Sequence, residues 1–337
     1  MNEPVRERPT LLATAPVSQY DARVMDKLRR ELGFMLPFLE EENVQEILVN
    51  PNGAVFVDRA GQDRVLEGYV AASKIASLLA TVASSLNTTI SRERPYIDGV
   101  LILDGSRISG EIPPTVTAPS MRIRKHAKLV APLSYFVETG TMTQVQLEAI
   151  QAAIKAKRNI VIVGSTGSGK TFLANSVLRE LSELCPADRV ITMEDTAELR
   201  LSSADSLSWV TSPEVDLQLM LKRVLRATPD RIVIGEVRGG EAYQLLKMWG
   251  TGHGGGLCTI HSDKGALDGL ARLERMCGES PEVVGMGRSW IQQLVGDVVH
   301  LLINITKESG GRTIPRHVSV SGFDEAEGAY RTEVFER

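Results

Sequence analysis

The chain has 337 residues, of which 43% are hydrophobic, and this is enough for one large or two medium domains with hydrophobic cores. Its formal net charge of −4 argues against the strongly basic overall field that non-specific nucleic-acid binding needs. The three cysteines are far apart, which argues against a disulfide framework or a four-cysteine zinc module and favours a reducing compartment. No apolar run approaches the ~20 residues that span a bilayer.

The first part of the chain predicts a small α+β domain after a polar, flexible tail at residues 1–18. Residues 42–62 read as strand, Asn-Pro-Asn-Gly turn and strand, and residues 71–86 have the period of a helix. Two further strands are predicted within residues 100–113 and 120–126. An earlier helix is predicted by an apolar stripe, Val24, Leu28, Leu32 and Met35.

Periodicity is lost after about residue 130, where Pro, Gly and Thr accumulate, and a helix is predicted again at residues 144–158. This change places a domain boundary within residues 130–142.

Residues 164–171, GSTGSGKT, match the phosphate-binding pattern GxxxxGK[ST]. A β-branched run at residues 160–163 precedes the loop and a helix follows it, so a Gly-Ser linker that matches by accident is disfavoured. The glycines let backbone N–H groups surround the phosphates, Lys170 reaches the β- and γ-phosphates, and Thr171 can bind Mg²⁺. The expected nucleotide-binding residues of this loop are Gly164, Ser165, Thr166, Gly167, Ser168, Gly169, Lys170, Thr171 and Phe172.

Two later strands each end in carboxylates, at Glu194 and Asp195 and at Glu236. Open parallel sheets bind ligands at the carboxyl ends of their strands. In a chain that also has a phosphate-binding loop, such an acid positions water or Mg²⁺. Asp195 is equally compatible with a solvated turn, whereas Glu236 follows Gly235 on a buried strand and is the stronger candidate.

Residues 251–263, TGHGGGLCTIHSD, allow two interpretations. His253, Cys258 and His261 have the chemistry of zinc ligands. The same stretch equally suits a glycine-rich loop that senses a phosphate, and its spacing leaves both interpretations open.

Four segments, GSTGSGKT, MEDTAEL, LRATPDRIVIGEVRGGEA and TGHGGGLCTIH, resemble in this order the signature boxes of the secretion and traffic ATPases. This family includes hexameric motors of type IV secretion, type II secretion and type IV pili. The chain is most similar to the conjugal-transfer, TrbB-type subgroup of type IV secretion. Because residues 42–53 and 105–126 also look like the family's N-terminal domain, the resemblance covers nearly the whole chain. The sequence lacks the tetracysteine module that is typical of the type II branch, which argues against that branch.

The resemblance implies an α/β fold with a RecA-like P-loop domain at residues 136–337 and a smaller α+β, PAS-like domain at residues 19–135. It implies hydrolysis of ATP with Mg²⁺, coupled to motion between the domains of a ring-shaped homohexamer. The implied partners are inner-membrane secretion or conjugation components, which places the protein in the cytoplasm or peripherally at the inner membrane.

A RecA-like nucleic-acid translocase or helicase, or a pilus or type II secretion ATPase, is the alternative. Direct sequence-specific nucleic-acid binding is not expected, because the basic stretches at residues 125–128 and 222–226 are short and aromatic residues make up only 5% of the chain.

The resemblance also implies roles for individual residues. Glu236 is expected to be the catalytic carboxylate, Glu194 to act near Mg²⁺ and water, and His261 to lie by the phosphate, with Lys170 completing the catalytic set. His253 is then expected to support His261, and zinc is disfavoured. Cys258 is then expected to be a small apolar side chain that packs in the core. The loop is expected to be mobile because of its glycines, Gly252, Gly254, Gly255 and Gly256.

Arginines are expected to add positive charge at the transferring phosphate. Arg107, Arg122 and Arg124 lie in segments that resemble the N-terminal arginine motifs of the family, and a solvated strand face is the alternative for the last two. Arg226 and Arg238 are further candidates in the second domain.

Overall fold

A computed structural model describes residues 18–59, 62–125, 130–212, 214–308 and 311–336. The chain divides into two compact units, Met1–His126 and Ala127–Arg337. This division precedes the expected boundary at residues 135 and 136, because Leu133 and Phe136 are buried in the hydrophobic core of the second unit. Of the expected tail, residues 1–17 lie outside the described residues.

The first unit contains an antiparallel sheet with the strand order β3-β2-β1-β6-β5-β4. Its helices are α1 (Gln19–Leu32), α2 (Leu36–Glu40) and α3 (Ala72–Ser85). Its strands are β1 (Val44–Val49), β2 (Ala54–Arg59), β3 (Val65–Tyr69), β4 (Tyr96–Val100), β5 (Arg107–Glu111) and β6 (Ser120–Arg124).

The helical stripe and the strand pair predicted near the start of this unit are confirmed. Ser18 caps α1 by accepting a hydrogen bond from the Asp21 amide. The stripe residues Val24, Leu28, Leu32 and Met35 are all buried. β1 and β2 pair as a hairpin whose turn contains Gly53 at a φ of 82°, a conformation that glycine adopts without steric cost.

The second unit contains a sheet with the strand order β14-β13-β12-β7-β11-β10-β8-β9. Its helices are α4 (Leu133–Glu138), α5 (Gln144–Lys155), α6 (Lys170–Leu184), α7 (Leu217–Val224), α8 (Glu241–Gly250), α9 (Ala266–Gly278) and α10 (Arg288–Val298). Its strands are β7 (Ile160–Gly164), β8 (Val190–Glu194), β9 (Ser206–Val210), β10 (Arg231–Val237), β11 (Leu257–His261), β12 (Leu301–Glu308), β13 (Gly311–Asp324) and β14 (Ala329–Glu336).

Strands β12, β7, β11, β10, β8 and β9 are parallel neighbours, and both faces of this part of the sheet are covered. Along β7, Val161 and Val163 enter one hydrophobic cluster while Ile160 and Ile162 enter the other. A strand buried on both faces has a continuous apolar sequence, as β7 does. The expected α/β class of this unit is therefore confirmed.

The C-terminal hairpins were missing from the sequence-based prediction. β13 pairs with β12 and with β14 in antiparallel fashion and extends the parallel sheet beyond β12. The ladder between β12 and β13 contains an irregularity between Asn304 and Thr306. Residues 301–305 of β12 are all buried, so no alternation of polar and apolar residues marks this strand in the sequence.

Candidate nucleotide-binding site

The phosphate-binding loop joins the carboxyl end of β7 to the N-terminus of α6. The residue before α6 is Gly169, whose φ of 103° lies in the left-handed region that favours glycine, and no side chain caps the helix. The first intrahelical hydrogen bond runs from the Leu173 amide to the Gly169 carbonyl. The amides of Lys170, Thr171 and Phe172 precede this bond, and they form an anion-binding helix terminus.

Lys170 is 9% exposed, and its ammonium group lies inside the loop. Its Nζ donates to the Gly164 and Ser165 carbonyls, at 2.8 Å each. This arrangement holds a positive charge at the mouth of the loop, where a phosphate is expected to bind.

Ser168 supports the assignment of a polar ligand to this loop. Its Oγ is buried and has no hydrogen-bond partner among the residues that the structure describes. A buried hydroxyl without a partner costs free energy. A Cβ atom on Gly164 would lie 2.7 Å from this oxygen and would collide with the Ile305 carbonyl, so only glycine fits between the loop and β12.

Phe172 lies in the first turn of α6, but its ring is used for packing. Its centroid lies 5.6 Å from that of Phe136 and 6.2 Å from that of Tyr135. The ring therefore attaches α6 to α4, and the expected contribution of Phe172 to nucleotide binding is left to its backbone amide.

Glu194 ends β8 at the same sheet edge as the loop, and it is 4% exposed. Its Oε1 accepts hydrogen bonds from the amides of Glu198 and Leu199, at 3.0 and 2.9 Å. A Cβ on Gly235 would lie 2.9 Å from Glu194 Cγ, so β8 and β10 approach closely here. Part of the carboxylate thus fixes the segment after β8, and its expected action on Mg²⁺ and water stays a prediction.

Glu236 lies at an irregularity of the parallel ladder between β10 and β11, where the register shifts between Ile234 and Val237. Such a bulge redirects a side chain relative to a regular strand. Here the carboxylate accepts from Arg238 Nε at 2.9 Å. Arg238 Nη1 in turn donates to Asp195 Oδ2 at 3.0 Å, and the three side chains form one charged cluster, defined as the Arg238 cluster.

The charges of the Arg238 cluster reinforce one another. Burial lowers the pKa of Arg238, but the hydrogen bond and charge of Glu236 and the charge of Asp195 outweigh it, so the pKa of this guanidinium is raised overall. Arg238 was an open candidate in the sequence, and the structure places it on the carboxylate that was expected to be catalytic.

His261 ends β11 directly opposite Gly164, the first glycine of the loop. Its side chain is 42% exposed, and its Nε2 lies 3.4 Å from Asp263 Oδ2. The amide of Ser262 donates to the Gly164 carbonyl at 3.3 Å. His261 therefore lies beside the phosphate-binding loop, although a contact with phosphate stays a prediction.

Cys258 lies in the hydrophobic core, as expected. It is fully buried on β11, and burial raises the pKa of its thiol well above the ordinary value. No group of three His, Cys, Asp or Glu side chains with metal-binding geometry is found within the described ranges.

The expectation that His253 directly supports His261 is wrong, because residues 252–256 precede β11 and His261 ends it. The expected mobility of the glycines stays a prediction. The two ends of this five-residue strand are about 13 Å apart at ~3.3 Å per residue. The Asn159 side chain accepts from the amides of Gly255 and Gly256, at 2.7 and 3.0 Å. His253 lies in this anchored turn, at the edge of the sheet away from the phosphate-binding loop.

Close packing explains the glycines of this turn. A Cβ on Gly256 would collide with Trp249 and with the Ile232 carbonyl, and one on Gly255 would collide with Arg231. Arg231 is fully buried; it donates to Asp188 Oδ2 at 2.6 Å and to the Gly255 carbonyl at 3.1 Å. No sequence pattern marks this anchor, because an arginine at the start of a strand carries no signal of burial.

The three arginines expected from the first unit lie on one face of its sheet. Arg107 is directly opposite Arg124 in the β5–β6 ladder, and Arg122 is two residues away on the same strand. Ile108 and Ile123 alternate with them and are buried on the opposite face. The structure thus brings these arginines together, and their contribution to nucleotide binding stays a prediction.

Arg226 lies in a single 3₁₀ turn, Leu225–Ala227, after α7. Among the described residues its side chain makes no hydrogen bond or ion pair, and nothing in the structure connects it with the phosphate-binding loop. Arg238 is therefore the better placed of the two candidates in the second unit.

Known proteins share both the sequence and the fold of this chain. A family model described as type II/IV secretion system protein matches residues 29–299. The conjugal transfer protein TrbB of Rhizobium radiobacter is 38% identical over 312 residues, which cover 92% of this chain and 94% of that protein. A PtlH homolog of the type IV secretion system of Bordetella bronchiseptica is 30% identical over 81% of this chain and 88% of that protein.

Two solved structures support the fold assignment. The ATPase DotB of Legionella pneumophila has a TM-score of 0.60 at 20% identity, over 87% of this chain and 80% of that chain. The pilus retraction motor PilT, solved with bound ADP, has a TM-score of 0.60 at 14% identity, over 92% of this chain and 82% of that chain. No helix in the described part of the chain is long and apolar enough to cross a membrane.

Proposed function

Because the chain belongs to the type II/IV secretion system protein family, we propose that it is the ATP-hydrolysing motor of a type IV secretion or conjugal DNA-transfer system. The relatives at 38% and 30% identity are named for conjugal transfer and type IV secretion, and this favours the proposal over a helicase, a pilus motor or a type II secretion ATPase.

One observation carries the enzymatic part of the proposal. The phosphate-binding loop, Glu194, Glu236 and His261 all lie at the carboxyl edge of neighbouring parallel strands. A phosphate-binding loop with acids on the adjoining strands is the constellation that phosphoryl transfer to water requires.

Each residue then has a chemical task. The amides of the loop and the Lys170 ammonium bind the β- and γ-phosphates. Glu236 orients the attacking water and accepts its proton. Thr171 and Glu194 are the residues that would hold Mg²⁺, which neutralises phosphate charge when bound. His261 ends β11 opposite Gly164, and its proposed task is to distinguish ATP from ADP.

The proposal extends to assembly. A homohexameric ring in which Arg107, Arg122 and Arg124 supply charge to the nucleotide explains why three arginines share one face of the first unit's sheet. Coupling of hydrolysis to motion between the units would then act on inner-membrane components of the secretion apparatus, with the protein associated peripherally.

The test of hydrolysis compares the wild-type protein with Lys170→Ala. ATPase rate and ATP affinity are measured with Mg²⁺ present. Wild-type turnover is expected, whereas Lys170→Ala should abolish hydrolysis and weaken ATP binding, because it removes a buried cation from the loop. Lys155→Ala, at an exposed position on α5, is the matched control and should behave as wild type.

Turnover that survives in Lys170→Ala would reject the site. The ring is tested by measuring the mass of the purified protein with and without ATP, and a mass of six chains is expected. A monomer under both conditions would reject the assembly.

A further inference from the structure

The β12–β13 hairpin carries two basic side chains next to the phosphate-binding loop. Lys307 and Arg312 are direct cross-strand partners, so their side chains lie on the same face of the hairpin. Both are exposed, and neither makes a hydrogen bond or an ion pair with any residue that the structure describes. Two adjacent cations repel each other, and an anionic ligand would relieve that repulsion.

Arg312 lies against the backbone of the loop. A Cβ on Gly169 would be 3.0 Å from both Cδ and Nε of Arg312, and 3.5 Å from Ile305 Cδ1. The guanidinium group of Arg312 therefore lies next to Gly169, the residue that precedes the first helical amides of α6. The φ of 103° favours glycine at position 169, and a Cβ there would require the Arg312 side chain to shift.

β12 holds the hairpin in this position. The strand pairs with β7 from Leu301 to Asn304, and the Ile305 carbonyl then packs against Gly164 so tightly that no Cβ fits. The Ile314 amide on β13 donates to the Thr141 carbonyl at 2.7 Å, which attaches the other strand of the hairpin to the segment before α5. Backbone contacts on both sides of Arg312 therefore fix its Cα relative to the loop.

We propose that Arg312, assisted by Lys307, binds the polyphosphate of the nucleotide from the C-terminal hairpin, as a phosphate-positioning residue outside the signature segments. The proposal rests on the proposed function, since it assumes a nucleotide in the phosphate-binding loop. A guanidinium group offers a planar fork of donors to phosphate oxygens, which suits this task. Arg312 binds the ground state and the transition state alike, and takes no part in the transfer of the proton from water.

The experiment measures affinities for ATP, ADP and inorganic tripolyphosphate by calorimetry, together with KM and kcat. Arg312→Ala should weaken the binding of all three ligands by roughly ten-fold or more, which corresponds to the loss of one hydrogen bond between charged groups. KM should rise and kcat should stay within about two-fold, because uniform binding is lost. Arg312→Lys should recover part of the affinity, and Lys307→Ala should have a smaller effect of the same kind.

Arg331→Ala is the matched control, because Arg331 is exposed on β14 and its Nε lies 3.9 Å from Asp324 Oδ2. It should leave all affinities unchanged. If Arg312→Ala binds the three ligands as well as wild type does, the inference is wrong. A loss for ATP and ADP that spares tripolyphosphate would also overturn it, since the arginine would then contact the nucleoside. A wild-type protein that binds no nucleotide rejects the proposed function itself.

Discussion

Arg238, the residue that follows β10, donates through Nε to Glu236 Oε2 at 2.9 Å, and Glu236 lies within the register irregularity between Ile234 and Val237. The same guanidinium reaches Asp195 at the end of the neighbouring strand β8. The proposed catalytic carboxylate is thus held by an arginine that links two strands. The orientation of Glu236 therefore depends on the segment after β8 as well as on its own strand, β10.

Glu236→Gln tests the carboxylate directly. The amide keeps the size and much of the hydrogen bonding, but it cannot accept a proton, so turnover should fall by roughly 10²-fold or more while ATP still binds. Turnover and ATP affinity are the measurements. Near wild-type hydrolysis would move the catalytic role elsewhere, with Glu194 as the next candidate.

Arg238→Gln tests the positioning of Glu236. Without the guanidinium, Glu236 loses its partner and samples other rotamers, and we expect kcat to fall by about ten-fold, within the range that small displacements of catalytic groups produce. ATP affinity should change little, and Arg238→Lys should restore part of kcat. An unchanged kcat in Arg238→Gln would show that the Arg238 cluster has no part in turnover.

His261→Ala and Cys258→Ala separate a nucleotide sensor from a metal site. His261 is exposed beside Gly164, so its loss should spare ATP binding and reduce hydrolysis. Cys258 is buried in the core, so its loss should cost about 1 kcal/mol of stability and leave turnover intact. The ATPase rates, ATP affinities and metal contents are compared. Stoichiometric zinc that is lost in both variants would overturn this interpretation.

Arg231→Met should destabilise the second unit by about 3–5 kcal/mol, because it breaks a buried ion pair and leaves Asp188 and two backbone carbonyls without this donor. Chemical denaturation measures the free energy of unfolding. Arg275→Met is the control on α9, since Arg275 is 59% exposed and its ion pair with Asp268 is long at 3.8 Å. It should cost less than about 1 kcal/mol. Equal effects in the two variants would contradict the anchoring role of Arg231.

His317 makes stability depend on pH. It is fully buried on β13, and burial lowers the pKa of its imidazole to about 4 from an ordinary 6.5. Because the unfolded chain takes up this proton near pH 6.5 and the folded chain only near pH 4, the contribution to stability is complete above pH 6.5 and is lost as pH falls towards 4. The loss amounts to on the order of 3 kcal/mol.

His317→Leu should remove this dependence. Unfolding free energies at pH 8, 6 and 4.5 are measured for both proteins. The difference between the two proteins at pH 8 gives the part of the effect that does not depend on protonation of His317. The wild-type protein should lose more stability than His317→Leu between pH 8 and pH 4.5. Parallel curves would show that His317 is not protonated on unfolding.

The sequence by itself determined the features that depend on neighbouring residues. Eight consecutive residues, 164–171, are sufficient for a phosphate-binding loop, since the geometry of the loop and the start of its helix are local. Apolar periodicity likewise predicted α1, α3 and the buried strand β7, because each buried face repeats with the period of its own element. The strand ends that carry Glu194, Glu236 and His261 followed from the same local patterns.

Only the tertiary structure decided which of these parts meet. The order of the strands places β11 between β7 and β10, so His261 lies opposite Gly164, while the glycines of the same segment anchor the other end of β11. The approach of Arg312 to Gly169 joins residues more than 140 positions apart, and it follows from a hairpin that the sequence did not reveal. Such contacts depend on strand order and register between distant segments, and no local period or propensity encodes them.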